Sequence, residues 1–143
     1  MQIHDLSDTI PSTNYNRLHK IIPQGICLHI TADNNEGQAL SWFQNERAGV
    51  SAHYIIEPSG KIVLCVHPNI KAYHCGIINM PTADIVLNNG RTNPNDYLVG
   101  IEVVSNGRDI NDKQLEALKY LVTQLCFTYN IPLNRYGIIG HYE

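Results

Sequence analysis

The chain has 143 residues, which suggests one domain that is long enough to bury a core without disulfide bonds. Its formal net charge is −3 and its basic residues are scattered, so the composition argues against a general nucleic-acid binder. No apolar run approaches the roughly 20 residues that cross a bilayer, and the N-terminus lacks the pattern of a secretory signal. We therefore expect one soluble, monomeric domain with no membrane or nucleic-acid partner.

The cysteines form no C-x-x-C pair, which argues against a zinc ribbon or a redox motif. An even number would allow two disulfides, but the chain is rich enough in core residues to fold without them. Because no secretory signal is visible, we expect free thiols at all four positions, which are Cys27, Cys65, Cys75 and Cys126.

The start of the chain predicts an arm followed by a strand. Residues 1–23 are polar and interrupted by prolines, which indicates an N-terminal arm with little regular structure. Residues 26–31 alternate in a way that predicts a buried strand. Because neighbouring side chains on a strand point to opposite faces, Cys27, His29 and Thr31 should share one face.

The middle of the chain predicts a helix, a hairpin and a long loop. Residues 38–47 have a helical pattern, which ends near a glycine. Residues 53–57 and 61–66 are rich in β-branched side chains, and the intervening turn suits a positive φ at Gly60. Residues 76–97 contain many Asn, Pro and Gly residues, which predicts an irregular loop of the length that is often functional.

The last third predicts strand, helix and strand. Residues 98–105 form a strand pattern, and residues 111–129 form the clearest helical pattern, opened by a capping box. Residues 136–139 predict a short final strand that leads to His141. Strands thus alternate with helices, which predicts an α/β fold with a single mixed β-sheet flanked by helices.

Two histidines are candidates for a metal site. His29 lies within a rigid strand and His141 follows one, and such positions can hold an imidazole in the fixed orientation that a metal ligand needs. Their wide separation in sequence leaves open the alternative that both merely make hydrogen bonds within the fold.

A carboxylate within an apolar strand is a second candidate. Glu102 lies in the pattern Leu-Val-Gly-Ile-Glu-Val-Val, where an unpaired charge is costly. Burial would raise its pKa towards neutrality, as suits a general base. A structural ion pair or a solvent-facing position explains the residue equally well.

Further histidines precede the predicted loop. His53 and His74 could each line a cleft, although a hydrogen-bonded histidine without a function is the more common case. Cys75 beside His74 raises the possibility of a thiol hydrolase. Adjacent residues on an extended chain point apart, however, so the two would not pair as nucleophile and base.

Taken together and in order, these motifs resemble the type 2 N-acetylmuramoyl-L-alanine amidases, a family that includes phage lysozyme-amidases, cell-wall recycling amidases and peptidoglycan recognition proteins. The resemblance runs from about residue 24 to the end of the chain. The motifs that carry it are Leu28-His29-Ile30-Thr31-Ala32, Val50-Ser51-Ala52-His53-Tyr54, Ser59-Gly60-Lys61-Ile62, Ala72-Tyr73-His74-Cys75-Gly76, Asn95-Asp96-Tyr97-Leu98-Val99-Gly100-Ile101-Glu102 and Ile138-Ile139-Gly140-His141.

The resemblance implies a fold, an activity and a set of site residues. His29 and His141 match the family's zinc-binding histidines, and Glu102 matches the catalytic base of its recycling amidases. Other branches use a tyrosine before the position of His53, where this chain has Ala52. The implied substrate-binding residues are His53, His74 and Asn95, and the implied partner is peptidoglycan.

The chain departs from the family after His141. The resemblance implies a third zinc ligand, a Cys or Asp roughly ten residues further on, since a catalytic zinc site has three protein ligands. The sequence ends at Glu143, so we expect 1–143 to be a catalytic domain that is incomplete at its C-terminus. Water, Glu143 or a neighbouring molecule could complete the coordination of Zn²⁺.

The implied function is zinc-dependent hydrolysis of the amide between the muramoyl lactyl group and L-alanine. An alternative is a module of the same fold that binds peptidoglycan without cutting it, and a further one is an unrelated α/β domain. The missing signal and the Asn-rich loop favour a phage lysin, made in the cytoplasm and acting on the cell wall, over a recycling enzyme.

Overall fold

A computed structural model describes residues 1–77, 80–90, 92–107 and 109–141. Within these ranges the chain forms eight strands and three α-helices, together with short 3-10 turns. The elements in chain order are β1 (Ile3–Asp5), β2 (Tyr15–Lys20), β3 (Gly25–Ile30), α1 (Gln38–Phe43), β4 (Tyr54–Ile56), β5 (Ile62–Leu64), β6 (Ile70–Ala72), α2 (Asp84–Asn88), β7 (Leu98–Val103), α3 (Asp112–Tyr129) and β8 (Ile138–Gly140).

Six of the strands form one mixed sheet in the order β1-β5-β4-β7-β3-β8. The neighbours β4, β7, β3 and β8 run parallel, whereas β4 and β5 form an antiparallel hairpin. The turn of that hairpin has the expected positive φ, 85°, at Gly60. The predicted fold class, a mixed sheet flanked by helices, is confirmed.

The long helix α3 covers one face of the sheet. Its apolar side chains, among them Leu121 and Leu125, pack against inward-facing residues of four strands, among them Val99 and Ile101. The helix begins at the predicted capping box, in which the Asn111 side chain accepts a hydrogen bond from the third helical residue. The described residues between this helix and the sheet form one continuous apolar cluster.

The opposite face carries two separate apolar clusters. One surrounds α1 and includes Phe43 and Ile55, and the other surrounds α2 and includes Ile85 and Tyr97. The polar side chains of β3 and β7 lie on this same face, as the alternation of the sequence predicted. The site discussed below therefore occupies the uncovered part of this face.

The prediction of an arm with little regular structure at 1–23 is wrong. Strand β1 pairs in parallel with β5, and β2 pairs with β6 in a separate two-stranded sheet. Asn14, directly before β2, is fully buried, and its side chain donates to the carbonyls of Phe43 and Asn45. Polar residues can form edge strands when distant partners supply the ladder, and no local pattern signals this.

Two further expectations need correction. The loop predicted at 76–97 contains α2 and a 3-10 turn, Pro94–Asp96; residues 78, 79 and 91 of that stretch lie outside the described ranges. Helix α1 is shorter than the predicted 38–47, because the chain continues from Phe43 as a series of turns.

None of the four cysteines, all of which lie in the described ranges, forms a disulfide bond, as predicted. None of the helices in the described part of the chain has the length and apolar character needed to cross a bilayer.

Candidate active site

A pocket of about 1060 Å³ opens on the uncovered face of the sheet, at the carboxyl ends of its parallel strands. Ligands of α/β proteins commonly bind at this edge, because the loops that leave parallel strands meet there. His29 is the penultimate residue of β3, Glu102 is the penultimate residue of β7, and His141 directly follows β8. All three side chains line the pocket, and so does His74.

Strand register places the first histidine beside the carboxylate. His29 and Glu102 are Cα partners in the parallel ladder between β3 and β7, so their side chains project from the same face of the sheet. His29 is 6% exposed, whereas Glu102 is partly exposed to the pocket. The sequence of either strand alone does not predict this pairing. Alternation shows on which face of the sheet a side chain lies, but it does not show which residues of two strands are neighbours.

His74 lies flat against β7 because residue 100 is a glycine. A Cβ at Gly100 would come within 2.3 Å of the His74 ring, so any larger residue would displace the imidazole. The ring nitrogen Nε2 donates to the carbonyl of Leu98 at 3.0 Å. Nδ1 therefore carries a lone pair, and it lies 3.0 Å from Nε2 of His29.

His141 is a third histidine of the pocket, and its ring lies next to that of His29. Its ring centroid lies 4.6 Å from that of His29. Its Nε2 lies 3.1 Å from the carbonyl of Cys75, and since a carbonyl can only accept, Nε2 must be protonated. Nδ1 is then free to bind a cation, and the backbone contact fixes the tautomer as carbonyl partners do in metal sites.

The electrostatics of the pocket suit a metal site next to a base. Burial, followed by repulsion from His141 and His53, lowers the pKa of His29 to about 3. Burial and the neighbouring histidines also hold the pKa of His74 well below its usual range. Both rings are therefore neutral at pH 7, the form that binds metals. Burial and the charge of Asp33 raise the pKa of Glu102 to about 7.

Two of the residues predicted to bind substrate lie behind the pocket wall. His53 is fully buried, with Nε2 donating to the carbonyl of Ile70 and Nδ1 accepting from the amide of Gly100. Asn95 is 4% exposed, and its side-chain oxygen accepts from the amides of His74 and Cys75. In this structure both residues support the wall from behind, and their contact with substrate stays a prediction.

The pocket also contains residues that the sequence argument did not single out. Trp42 is 50% exposed on its wall, and Arg135 adds a positive charge to its lining. The ligand atoms of the pocket residues His29 and His74 and of the buried Cys27 lie within 4.8 Å of one another and could hold a metal ion. The alternation that puts Cys27 and His29 on one face of β3 was a usable signal for this cluster. Of the proposed metal ligands, Glu143 lies outside the described residues.

The residues of this fold and pocket match the model of a known protein family. Residues 19–143 match the family model described as N-acetylmuramoyl-L-alanine amidase, so the match extends over most of the chain and includes every residue of the pocket named above. The chain therefore belongs to the N-acetylmuramoyl-L-alanine amidase family, as its motifs indicated.

Among curated proteins, the chain is similar to the 1,6-anhydro-N-acetylmuramyl-L-alanine amidase AmpD of Haemophilus influenzae. The two are 33% identical over 93 residues, which make up 64% of this chain and 46% of that protein. The matched region thus spans about half the length of this relative.

Among solved structures, the catalytic domain of XlyA superposes with a TM-score of 0.73 at 22% identity, covering 99% of this chain and 84% of that one. The amidase LysC from Clostridium intestinale URNW gives a TM-score of 0.66 at 23% identity, covering 99% and 83%. At such identities the likeness establishes the fold, which agrees with the topology described above.

Proposed function

We propose that this chain hydrolyses the amide bond between the muramoyl lactyl group and L-alanine of peptidoglycan. The observation that carries the proposal is the convergence of His29, His141 and Glu102 on one open pocket, in a chain that belongs to the amidase family. Two imidazoles beside a carboxyl group of raised pKa form a set suited to metal-assisted hydrolysis.

His29 and His141 are the residues that would hold the zinc ion. Imidazole nitrogen is a common zinc ligand. The lone pair inferred on Nδ1 of His141 fits that role, and so does Nδ1 of His29, because the Nε2 of His29 donates to His74. When bound, zinc supplies Lewis-acid polarisation of a carbonyl and a bound water of lowered pKa. The third ligand remains a prediction, namely a Cys or Asp roughly ten residues beyond His141, since a catalytic site has three protein ligands.

Glu102 would act as the general base and then as the general acid. Its raised pKa, about 7, leaves a substantial fraction of the carboxylate available at neutral pH to accept a proton from the attacking water. The same carboxyl group, once protonated, can deliver that proton to the amine of the departing L-alanine. Its position beside His29 in the strand ladder supports this role.

The remaining pocket residues would hold the substrate. His74 faces the pocket next to His29, and the exposed ring of Trp42 offers an apolar surface of the kind that packs against sugars and peptides. Arg135 would attract the carboxylates of the stem peptide.

The direct test is release of stem peptides from purified cell walls, with zinc present, by the chain extended through the predicted third ligand. We expect Glu102→Gln and His141→Ala to lower release at least about 100-fold, a typical effect of removing a catalytic proton-transfer group or a metal ligand. His67→Ala is the matched control, because His67 is an exposed histidine that does not line the pocket.

The results of these experiments distinguish the proposed amidase from a binding module, and a phage lysin from a recycling enzyme. Zinc-dependent release that requires Glu102 supports it. Sedimentation of the protein with cell walls without release, unchanged by Glu102→Gln, would instead indicate a binding module. Finally, comparing intact cell walls with soluble anhydro-muropeptides tests the lysin prediction, which requires faster cleavage of intact walls.

A further inference from the structure

Two adjacent residues, His74 and Cys75, contact both of the histidines that are proposed to hold zinc. Nδ1 of the His74 ring lies 3.0 Å from Nε2 of His29. The carbonyl oxygen of Cys75 lies 3.1 Å from Nε2 of His141. The two candidate ligands belong to different parts of the sheet, β3 and the end of β8, but one dipeptide contacts the same ring atom of each.

The hydrogen bonds place the ring proton on the same nitrogen of both candidate ligands. Nε2 of His74 donates to the Leu98 carbonyl, so Nδ1 of that neutral ring accepts and Nε2 of His29 is the donor. At His141, Nε2 is again the donor, because a carbonyl oxygen only accepts. A neutral imidazole carries one ring proton, so each candidate ligand keeps its lone pair on Nδ1.

The side chain of Asn95 holds this dipeptide. Its oxygen accepts from the backbone amides of His74, at 3.2 Å, and of Cys75, at 2.8 Å. Asn95 is 4% exposed and lies in the 3-10 turn Pro94–Asp96, where its own amide donates to the side chain of Asn93. The anchor of the dipeptide is therefore itself held by the fold, behind the pocket wall.

A shared set of second-shell partners has a consequence for metal binding. A ring nitrogen binds a cation only when it carries a lone pair, and an imidazole without a partner is free to change its tautomer and its orientation. A hydrogen bond from the other nitrogen removes both freedoms before the ion binds. Loss of such partners typically lowers metal affinity about 10–100-fold.

We propose that Asn95 is a positioning residue for the metal site. By anchoring the His74–Cys75 dipeptide, it holds the rings of both candidate zinc ligands in the tautomer that leaves Nδ1 available to a cation. This inference rests on the proposed zinc site, and it concerns how that site is organised before metal or substrate binds. His74 acts through His29, and because both of its ring nitrogens are engaged, its ring can contact substrate only through carbon atoms.

Nuclear magnetic resonance of the metal-free, 143-residue chain tests the proton positions. With nitrogen-15 in the rings, long-range proton–nitrogen correlation at about pH 8 identifies the protonated nitrogen of each histidine. We expect Nε2–H in His29, His74 and His141, and a scalar coupling across the hydrogen bond between Nε2 of His29 and Nδ1 of His74. The exposed ring of His67, outside the pocket, is the reference for averaged tautomers. An Nδ1–H or averaged tautomer in either candidate ligand, or absence of the coupling, would overturn the proposal.

The anchor is tested in the unmutated protein and in two variants. In the wild type, the amide nitrogens of His74 and Cys75 should each couple to the side-chain carbonyl carbon of Asn95, and absence of both couplings would contradict the anchor. Asn95→Ala removes the acceptor, so we expect averaged tautomers in both candidate ligands and Zn²⁺ binding at least about tenfold weaker in competition with a chelator. Asn95→Asp retains an oxygen and should keep the wild-type tautomers. A folded Asn95→Ala protein with unchanged tautomers and zinc affinity would also refute the role.

These measurements separate the inference from the proposed function, because they need no substrate. An inactive protein with the expected tautomers and couplings would overturn the amidase proposal and support the inference. Zinc-dependent release of stem peptides, together with zinc binding that is indifferent to Asn95→Ala, would overturn the inference alone.

Discussion

Glu102 offers the sharpest test of the electrostatics of the pocket, because its predicted effect on stability has a defined pH window. Burial raises the pKa of this carboxyl group from 4.5 to about 7 in the folded chain. The folded state therefore binds more protons than the unfolded state between these values. The free energy of unfolding must fall as the pH rises through this window, as the buried group becomes charged.

Glu102→Gln removes the charge and keeps the shape. Below about pH 4.5 the protonated acid and the amide are nearly equivalent, so the two proteins should have similar stability. Above pH 7 the variant should be more stable, since one pKa unit corresponds to about 1.36 kcal/mol and the raised pKa sets an upper limit on the order of 3 kcal/mol. Partial exposure to the pocket screens the charge, so we expect about 1–3 kcal/mol.

The assay is urea unfolding of metal-free protein at a series of pH values from 4 to 8.5, followed by circular dichroism. Ionisable groups that both proteins share contribute equally to the pH dependence of unfolding, so their contributions cancel in the difference between wild type and variant. Glu116→Gln is the matched control: Glu116 is 64% exposed on α3, where solvent screens its charge, so the same substitution should give a nearly flat difference. A pH-independent difference for Glu102→Gln, or a variant less stable than wild type at pH 8, would refute the reasoning.

Three further substitutions test the framework around the pocket. Gly100→Ala should cost about 1–3 kcal/mol, because its Cβ would overlap the His74 ring. Chemical denaturation checks this, and an unchanged free energy of unfolding would contradict the close approach. Asn14→Ala should cost about 2–4 kcal/mol, since it removes the partner of the buried Phe43 carbonyl, of the Asn45 carbonyl and of the Gly49 amide. A loss below about 0.5 kcal/mol in the same assay would contradict a structural role for these hydrogen bonds. Asn111→Ala should cost about 1 kcal/mol by removing the cap of α3, and Asn111→Asp, which can still cap, should restore most of it in thermal unfolding.

Some structural features depend on long-range contacts that local sequence patterns do not specify. Strand β1 has only partly buried and exposed residues, and it is a strand because β5 offers an unpaired edge. In its local sequence, His53 resembles any other histidine that precedes an apolar strand. Only the approach of β7, whose Gly100 amide donates to its ring, makes it a buried structural residue.

The sequence by itself determined the faces of the central strands, the cap of α3 and the family, because each depends on residues close together or on motifs in a fixed order. Tertiary structure alone decided that His29 pairs with Glu102, that His141 meets His29, and that Cys27 lies beside His74. The physical reason is that alternation along a strand specifies only which side a residue faces. The neighbour it meets there is set by register and by chain crossings between residues more than 40 positions apart.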